Sequence, residues 1–438
     1  MTTLVRARHV ITMAVPDLID DGAVAIDGTD IVAVGDWTRL RDRYRDAAVI
    51  GDGTGIVTPG LVNAHGHFSE AFLAGRADGL TLLEWKQAVL ATAGDQTREI
   101  ARLGTMLRAA EMAQSGVTTV ADMFVCAPDP AQPVTPGVVD GLAAVGLRGD
   151  LSYGAKDGDG IGIGDLMAEH EALRDACVGS DRVRFRMGIS NVISAGPDLI
   201  RHSAREAREA GLPIHMHLEE VREEVTWCRT RWGVTPVRHV ADLGVFESDV
   251  LAAHVVWADQ DDMRILADAK AAVAHNPVSN AILGSGVCPL DSYAAHGVPI
   301  GLGTDGAASN DRQDMLEVIK VGALLQKIHR LQAGAVGAHE CLRMATLGGA
   351  RALGLGDLTG SLEPGKRADV VLFTRESPRM AFASDPCLAV VYAASPADVS
   401  DVWVDGERVV ADGSVRTVDT REVIAEARRV LDGGEPHR

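Results

Sequence analysis

The sequence predicts an α/β fold: a (β/α)8 TIM barrel that carries a small β-sandwich domain built from both chain ends. Two observations predict it. The middle of the chain alternates strand-like and helix-like segments, whereas both ends consist mainly of short strand-like segments and turns. In addition, side chains of metal-ligand type follow several of the middle strands, and the chemistry of such barrels sits at the carboxyl ends of their strands.

Eight strand-like segments in the middle of the chain give the count for a (β/α)8 barrel. They are 56–65, 117–123, 146–153, 183–189, 213–218, 250–256, 271–275 and 299–304. Helical patterns lie between most of them, as at Arg98–Gln114, Leu199–Ala210, Asp259–Ala269 and Asp311–His329. A doubly wound open sheet is the alternative, but its first turn is typically glycine-rich. The first strand here ends in His65-Gly66-His67 instead.

The two chain ends predict one small β-domain. Strand-like segments flank the turn signal Asp27-Gly28, and the same pattern returns around Asp405-Gly406. A helical pattern from Thr420 to Leu431 closes the chain. The predicted domains are a first sandwich part at 1–57, a metal-dependent barrel at 58–365, and a second sandwich part with the C-terminal helix at 366–438.

The composition is that of an ordinary globular protein, with 46% hydrophobic and 24% charged residues. The formal charge of −19 argues against nucleic acid or an anionic membrane as a partner, because both need a basic surface. Six cysteines without a C-x-x-C pair, and an N-terminus without a signal peptide, predict a reduced cytoplasmic protein. No uncharged apolar run approaches the ~20 residues needed to span a membrane.

Polar residues at the predicted strand ends are of types that bind metals. In strand order they are His65 and His67, Asp122, Lys156, His217 and Glu220, His254, His275 and Asn276, and Asp305. Two histidines spaced i, i+2 point to the same side of a strand. A catalytic zinc-type site needs three or four nitrogen and oxygen ligands and an open position for water. The residues that fit this order are His65, His67, His217 and Asp305, and both zinc and ferrous iron suit such ligands.

Spacing alone leaves several roles open. His215 is predicted to pack one layer deeper in the barrel than the histidine two residues later. Glu219 and Glu220 compete for the role of proton shuttle. His254, at the exit of the sixth strand, either binds the metal or hydrogen-bonds its hydroxide. Because segment 183–189 contains no lysine that would bridge two metals, we predict a single metal ion.

Taken together, these motifs resemble the amidohydrolase superfamily. Within it they are similar to the cytosine deaminase-like branch, which contains triazine hydrolases and S-adenosylhomocysteine/methylthioadenosine deaminases. The motifs are His65-x-His67, His217-Leu218-Glu219-Glu220, Ala253-His254, His275-Asn276-Pro277-x-Ser279-Asn280, Gly303 to Asn310, and Gly360 to Asp369. The resemblance covers nearly the whole chain. It is specific for the superfamily and the branch, but not for the substrate.

The resemblance implies a mononuclear site. The implied metal ligands are His65, His67, His217 and Asp305. The resemblance selects Glu220 as the proton shuttle, and it makes His254 the residue that polarises the hydroxide. In the implied mechanism, metal-bound hydroxide attacks a ring carbon that bears an amine, and Glu220 carries the proton to the adjacent ring nitrogen. Asp305 and His254 steady the tetrahedral intermediate, and the amine leaves as ammonia.

The predicted substrate contacts are Glu84, Trp85, Asn191 and Ser309. The stretch Ser190–Gly196 departs from the adenosine-type deaminases, which carry a His-Ser-Pro-like stretch after the fourth strand, so a nucleoside is not favoured over other rings. We therefore predict a metal-dependent aminohydrolase that deaminates an amino-substituted nitrogen heterocycle of the purine, pterin, pyrimidine or triazine type. The predicted cofactor is one divalent metal, with zinc before iron.

The sequence leaves two alternatives to this function open. The same site would serve hydrolytic loss of halide or alkylamine from a triazine, or hydrolysis of a cyclic amide. Glu220 favours deamination, because ammonia needs a proton donor to leave and halide does not. A non-catalytic metal-binding protein is the other alternative, and metal content together with ammonia release would separate it. The resemblance also suggests a homo-oligomer, by analogy alone.

Overall fold

The computed structural model describes residues 2–89 and 96–433. The N-terminal elements are β1 (Thr3–Ile11), β2 (Leu18–Asp27), β3 (Asp30–Asp36), α1 (Trp37–Arg43), β4 (Ala48–Ile50) and β5 (Ile56–Pro59). The turn between β2 and β3 contains Gly28 at a φ of +59°, a left-handed conformation that glycine adopts without strain. The Asp27-Gly28 signal therefore marks a hairpin, as predicted.

Ten short strands follow in the middle of the chain. They are β6 (Leu61–His67), β7 (Val117–Phe124), β8 (Arg148–Tyr153), β9 (Val183–Phe185), β10 (Met187–Ile189), β11 (Ile214–Leu218), β12 (Val250–His254), β13 (Ala272–His275), β14 (Ile300–Leu302) and β15 (Asp305–Gly306). They form two five-stranded parallel sheets, ordered β15-β6-β7-β8-β9 and β10-β11-β12-β13-β14. Every residue of β6, β7 and β8 is buried, which is typical of parallel strands covered on both faces.

Helices alternate with these strands. They are α2 (Leu82–Ala88), α3 (Arg98–Gln114), α4 (Pro136–Val145), α5 (Ile163–Cys177), α6 (Pro197–Ala210), α7 (Arg222–Trp232), α8 (Pro236–Asp242), α9 (Gln260–Asp268), α10 (Pro277–Ile282), α11 (Leu290–His296), α12 (Ala307–Asn310), α13 (Met315–Arg330), α14 (Ala338–Arg343) and α15 (Gly349–Ala352). Thr97 caps α3 by accepting a hydrogen bond from the Ile100 amide at 3.2 Å. In the part of the chain that the structure describes, no helix is long and apolar enough to cross a membrane.

The C-terminal elements complete the sheet that the N-terminus begins. They are β16 (Val370–Phe373), α16 (Pro386–Leu388), β17 (Val399–Val404), β18 (Glu407–Ala411), β19 (Ser414–Val415) and α17 (Thr420–Gly433). One mixed sheet runs in the order β19-β18-β17-β16-β5-β1-β2-β3, and β4 pairs with β1 at its side. Both ends of the chain therefore build one sheet of nine described strands, as the matching turn signals predicted.

Gly60 is the point at which the chain changes sheets. Pro59 pairs with Val370 in the nine-stranded sheet, and Leu61 pairs with Val117 in a parallel sheet. A Cβ on Gly60 would lie 2.1 Å from the Thr118 hydroxyl oxygen, so only glycine fits there. The segment predicted as one strand at 56–65 is thus two strands in two sheets. The sequence pattern missed the break because both strands are buried and apolar.

A buried ion-pair cluster joins the nine-stranded sheet to β8. The Arg148 guanidinium, at the start of β8, donates to Asp405 at 2.6 Å and to Asp369 at 3.2 Å. The Thr359 hydroxyl donates to the same Asp369 carboxylate at 2.7 Å. Because these side chains are nearly inaccessible to water, they fix the position of the sheet relative to the strands that carry the polar cluster described next.

Candidate active site

Five side chains from four parallel strands meet at the carboxyl ends of those strands. His67 Nε2 lies 3.0 Å from His217 Nε2 and 3.2 Å from Asp305 Oδ1. His65 Nε2 lies 3.3 Å from the same Asp305 oxygen. One ligand-type atom each from His65, His217, His254 and Asp305 lies within 4.8 Å of the other three. The structure therefore brings together all four residues predicted as metal ligands, with His254 beside them.

Backbone carbonyls orient two of these imidazoles. His67 Nδ1 donates to the Met123 carbonyl at 2.6 Å, and His217 Nδ1 donates to the Ser190 carbonyl at 2.8 Å. With the proton on Nδ1, the Nε2 lone pair of each ring points into the cluster, as metal-binding histidines require. Burial lowers the pKa of His217 well below its usual value, so this ring is neutral.

His65 has a nitrogen that suits a cation. Its Nδ1 lies 2.9 Å from His215 Nε2, and His215 Nδ1 in turn lies 3.1 Å from the Ser152 hydroxyl. Its Nε2 is buried and has no hydrogen-bond partner among the described residues. Burial lowers the pKa of His65 to about 3, which leaves a neutral ring. His215 therefore occupies the deeper layer predicted for it, where it orients His65.

Asp305 presents one oxygen to the cluster and is held by the other. Its Oδ2 accepts hydrogen bonds from the Ser279 hydroxyl at 2.6 Å and the Ser309 hydroxyl at 3.1 Å. Burial opposes ionisation, but contact with the His65 and His67 rings holds the pKa of Asp305 well below its usual value. The φ of Asp305 is +62°, a left-handed conformation that is uncommon for residues other than glycine.

His254 and Glu220 face this cluster from the side of β11 and β12. Asn280 Oδ1 accepts a hydrogen bond from His254 Nδ1 at 2.9 Å. His254 Nε2 then lies 3.9 Å from Glu220 Oε2 and 4.0 Å from Asp305 Oδ2. Glu219 turns the other way: its carboxylate accepts from the Val237 amide at 3.2 Å, and burial raises its pKa well above the usual value. The structure thus places Glu220, rather than Glu219, beside the cluster.

A cavity of about 380 Å³ opens over the cluster, which is large enough for a substituted heterocycle. Its lining residues are His67, Glu70, Leu82, Trp85, Lys86, Val125, Lys156, Ser190, Asn191, Ser194, His217, Glu220, His254, Leu283 and Asp305. Trp85 is fixed as one wall because its indole nitrogen donates to the Ala308 carbonyl at 2.9 Å. Asn191 also lines the cavity, and its side-chain oxygen Oδ1 accepts hydrogen bonds from the Ile193 and Ser194 amides.

Two of the predicted substrate contacts lie elsewhere. Glu84 is exposed on α2, and its carboxylate accepts from the amide and hydroxyl of Thr81, so it caps the helix and does not line the cavity. Ser309 is 1% exposed and binds Asp305, so it supports the carboxylate from behind. Neither side chain therefore lines the cavity as a substrate contact.

The remaining predicted strand-end residues surround the cluster. Asp122 is buried and accepts from the Phe68 amide at 2.6 Å, so it supports the turn after His67. His275 is fully buried, and burial lowers its pKa to about 3. The Asn276 amide nitrogen lies 3.4 Å from the His254 ring. Lys156 lines the cavity itself.

Glu70 is a cavity residue that the sequence analysis missed. It follows His67 in a turn of 3-10 helix, is 5% exposed, and accepts from the Ala308 amide at 3.3 Å. Burial raises its pKa to about 7. A Cβ on Gly306 would lie 1.8 Å from its carboxylate, so the glycine after Asp305 makes room for Glu70. The spacing His-x-His-x-x-Glu was the available signal.

The donor set fits a divalent metal of the zinc type. Three or four imidazoles and one carboxylate converge, and two imidazoles are oriented by carbonyls. The buried Nε2 of His65 makes no hydrogen bond in the described part of the chain, although it lies 3.3 Å from Asp305 Oδ1. Burial opposes protonation of His67, but Asp305 and Glu70 raise its pKa to about 10, so a metal that binds this ring displaces a proton.

Comparison with known proteins places this geometry among characterised hydrolases. The model of the amidohydrolase family matches residues 56–409. The 5-methylthioadenosine/S-adenosylhomocysteine deaminase of Pelotomaculum thermopropionicum is 37% identical over 433 residues, which is 97% of each chain. The deaminase of the same name from Pyrococcus furiosus is 33% identical over 424 residues, which is 95% of each chain.

Solved structures show the same similarity. An adenosine deaminase from Xanthomonas campestris with bound zinc superposes with a TM-score of 0.91 at 28% identity, over 98% of each chain. The zinc complex of atrazine chlorohydrolase from Arthrobacter aurescens superposes with a TM-score of 0.90 at 25% identity, over 98% of this chain and 100% of the other. Both proteins hold zinc within a fold that matches this one nearly end to end.

Proposed function

Because this chain belongs to the amidohydrolase family, we propose that it is a metal-dependent aminohydrolase that removes an amino group from a nitrogen heterocycle as ammonia. The observation that carries this function is the position of Glu220 and His254. Both line the cavity over the imidazole and carboxylate cluster, and His254 Nε2 lies 3.9 Å from Glu220 Oε2. A proton carrier beside a metal site is what release of ammonia requires.

The fold that supports this site is a (β/α)8 barrel closed from the two parallel sheets. β9 and β10 are separated only by Arg186, and β14 and β15 only by two residues, so each junction continues one strand into the other sheet. A parallel bridge between Ala155 and Ile189 further joins the segment after β8 to β10. The nine-stranded sheet forms the β-sandwich, and the domain limits 1–57, 58–365 and 366–438 remain predictions.

One divalent ion would be held by His65, His67, His217 and Asp305. Zinc is the first choice because nitrogen ligands dominate and because similar structures hold zinc, and iron is the alternative. When bound, such an ion acts as a Lewis acid and makes water reactive at neutral pH.

The protein's own groups move the protons. Glu220 takes a proton from the attacking water and delivers it to the ring nitrogen next to the reacting carbon. His254 presents Nε2 to the cavity, because its Nδ1 is engaged by Asn280, and it hydrogen-bonds the oxygen that becomes attached to the ring. Asp305 accepts the remaining proton of the attacking water and stays fixed by Ser279, whose hydroxyl donates to Oδ2. This second proton passes from Asp305, by way of Glu220, to the departing amine, which leaves as ammonia.

The walls of the cavity orient the ring. Trp85 supplies a fixed apolar surface beside Leu82 and Leu283, where a planar heterocycle stacks. Asn191 and Ser194, on the loop after β10, also line the cavity and provide polar contacts to ring substituents. A small-molecule heterocycle is the partner; the homo-oligomer, the absence of nucleic-acid and membrane partners, and the cytoplasmic location stay predictions.

An ammonia-release screen of zinc-loaded protein tests this function. The compounds are aminopurines and their nucleosides, pterins, aminopyrimidines and aminotriazines, with the protein carrying Glu220→Gln as the matched control. We expect ammonia from at least one class and a loss of about 10²-fold or more in the control. Chloride from a chlorotriazine without ammonia from any compound would instead establish the halide-releasing alternative and contradict the deaminase.

A further inference from the structure

Two lysines line the cavity of a chain that otherwise avoids lysine. Only six of its 42 lysine and arginine residues are lysines, and Lys86 and Lys156 both line the cavity over the histidine cluster. No arginine among the described residues lines it. Positive charge elsewhere is carried mostly by arginine, so two of only six lysines lie in the cavity over the cluster.

Both lysines are attached to fixed parts of the backbone. Lys86 follows Trp85, whose indole is hydrogen-bonded to Ala308 at 2.9 Å. Lys156 precedes Asp157, whose amide donates to the Ser194 carbonyl at 3.2 Å and whose carboxylate accepts from the Gly196 amide at 2.8 Å. The loop of Lys156 is therefore tied to the loop that carries Asn191 and Ser194. The two ammonium groups thus extend from two separate, anchored segments that line one cavity.

Neither ammonium group has an ion-pair or hydrogen-bond partner among the residues that the structure describes. The contrast within the chain is clear, because Lys366 binds Glu363 at 3.2 Å and Lys327 donates to the Ala333 carbonyl at 2.5 Å. The carboxylate beside Lys156 is already engaged by Gly196. Lys86 acts electrostatically on Glu224, but burial raises the pKa of that carboxyl to about 7, so it is a weak counter-charge.

The two lysines are half-buried, as is His217, whereas His65, His254 and Asp305 are buried. The lysine side chains are therefore more accessible to solvent than most of the cluster. Two unpaired cations in a partly desolvated cavity attract an anion more strongly than the same charges in bulk water. Contacts to a non-reacting part of a substrate supply binding energy that orients the reacting part.

We propose that the substrate is an amino-heterocycle with an anionic substituent, a carboxylate or a phosphate, and that Lys86 and Lys156 bind this group at the end of the cavity opposite the exocyclic amine. This inference rests on the proposed function. It makes the lysine pair the determinant of which heterocycle is selected, separate from the groups that carry out deamination. Because lysine binds such groups as a point charge, either anion is compatible with the pair.

Matched pairs of neutral and anionic compounds test the inference. They are adenosine with adenosine 5′-monophosphate, and pterin with pterin-6-carboxylate, so that the two pairs distinguish phosphate from carboxylate. Binding to the zinc-loaded full chain is measured by calorimetry, and ammonia release is followed separately. The variants are Lys86→Gln, Lys156→Gln and the double variant. Lys320→Gln, at an exposed lysine on α13, is the control.

We expect one anionic compound to bind at least about tenfold more tightly than its neutral partner. Each cavity variant should weaken that compound about tenfold, as for loss of one hydrogen bond to a charged group, and leave the neutral partner within about twofold. Higher salt should reduce the difference. The control should change neither compound.

Equal binding of the neutral and anionic partners would overturn the inference. Variants that weaken both partners alike would also overturn it, because the lysines would then only balance the negative charge of the cavity carboxylates. These outcomes are scored on binding. Absence of ammonia from every compound would contradict the proposed deaminase instead, so the two failures are distinguishable.

Discussion

Glu219 and Glu220 are adjacent in the sequence, yet they occupy opposite environments. Glu220 lines the cavity near His254, and Glu219 is bonded to the Val237 amide outside it. We predict that Glu220→Gln keeps its zinc and lowers kcat by about 10²-fold or more, because the amide cannot carry a proton. Steady-state ammonia release and zinc content check this.

Two neighbouring glutamates serve as controls for that prediction. Glu223→Gln removes an exposed carboxylate on α7 and should leave kcat unchanged. Glu219→Gln keeps a hydrogen-bond acceptor for Val237 and should retain most of the activity. If Glu219→Gln proves as inactive as Glu220→Gln while both proteins stay folded, the assignment of the shuttle to Glu220 is wrong.

Glu224 predicts a pH dependence of stability. It is buried below Glu220, whose amide donates to it at 3.1 Å, and burial raises its pKa from 4.5 to about 7. Between these values the folded protein holds a proton that the unfolded chain has lost, so stability falls as the pH rises through this window. The loss amounts to about 1.4 kcal/mol per pKa unit.

Glu224→Gln should remove this loss, since a neutral amide has no proton to give up. The difference in unfolding free energy between variant and parent should favour the variant by a few kcal/mol more at pH 8 than at pH 5. Urea unfolding of zinc-loaded protein at the two pH values measures the difference. A difference between variant and parent that does not depend on pH would show that Glu224 ionises normally.

The histidines and Asp305 could be predicted from the sequence because each is a ligand-type residue at the end of an apolar strand. Glu70 was missed because the His-x-His-x-x-Glu spacing alone does not show that the turn after His67 brings this carboxylate to the cavity. Glu84 and Ser309 were predicted as substrate contacts, but the direction of a side chain depends on local bonds, to Thr81 and Asp305, that spacing does not reveal.

At the level of elements, the connection from β14 to β15 sets the position of Asp305. Gly303 lies in it, and a Cβ there would be 2.4 Å from Asn276 Oδ1 and 2.8 Å from the His65 carbonyl oxygen. We predict that Gly303→Ala pushes β15 away from β6, destabilises the protein by about 1–3 kcal/mol and lowers its zinc content. Urea unfolding and metal analysis measure both.

Gly164→Ala is the control for that substitution. Gly164 is in the first turn of α5, and no atom of the described residues lies within 4 Å of the Cβ that alanine would add. Stability and zinc content should be unchanged or slightly higher, since alanine favours the helix. Full zinc and parental stability in Gly303→Ala would mean that the junction of β14 and β15 tolerates a side chain and does not fix the site.

The strands of the parallel sheets were predictable because their apolar runs alternate with helical periodicity. All eight predicted segments contain strands, and α3 has the predicted limits. The change of sheet at Gly60 was not predictable, because strands β5 and β6 are equally buried. Hydrophobic pattern reports burial, but which sheet a strand joins depends on contacts with distant segments such as Val370 and Val117.

At the scale of the whole molecule, the cluster of Arg148, Asp369 and Asp405 couples the nine-stranded sheet to β8. Arg148→Ala leaves two buried carboxylates without their cation, and we predict a loss of about 3–5 kcal/mol in unfolding free energy. Arg98→Ala breaks an exposed pair with Asp140 and should cost at most about 1 kcal/mol. Similar small losses in both variants would show that the two parts of the chain are not coupled through Arg148.

The proposed function depends on one divalent ion, which His65, His67, His217 and Asp305 would hold. The most direct test is a titration of metal-free protein with Zn²⁺, in which bound zinc and ammonia release from the best substrate are followed together. We predict that both saturate at one equivalent per chain, and that Asp305→Ala binds zinc weakly and stays inactive. Activity that persists without metal, or that requires a second equivalent, would contradict the single-metal site.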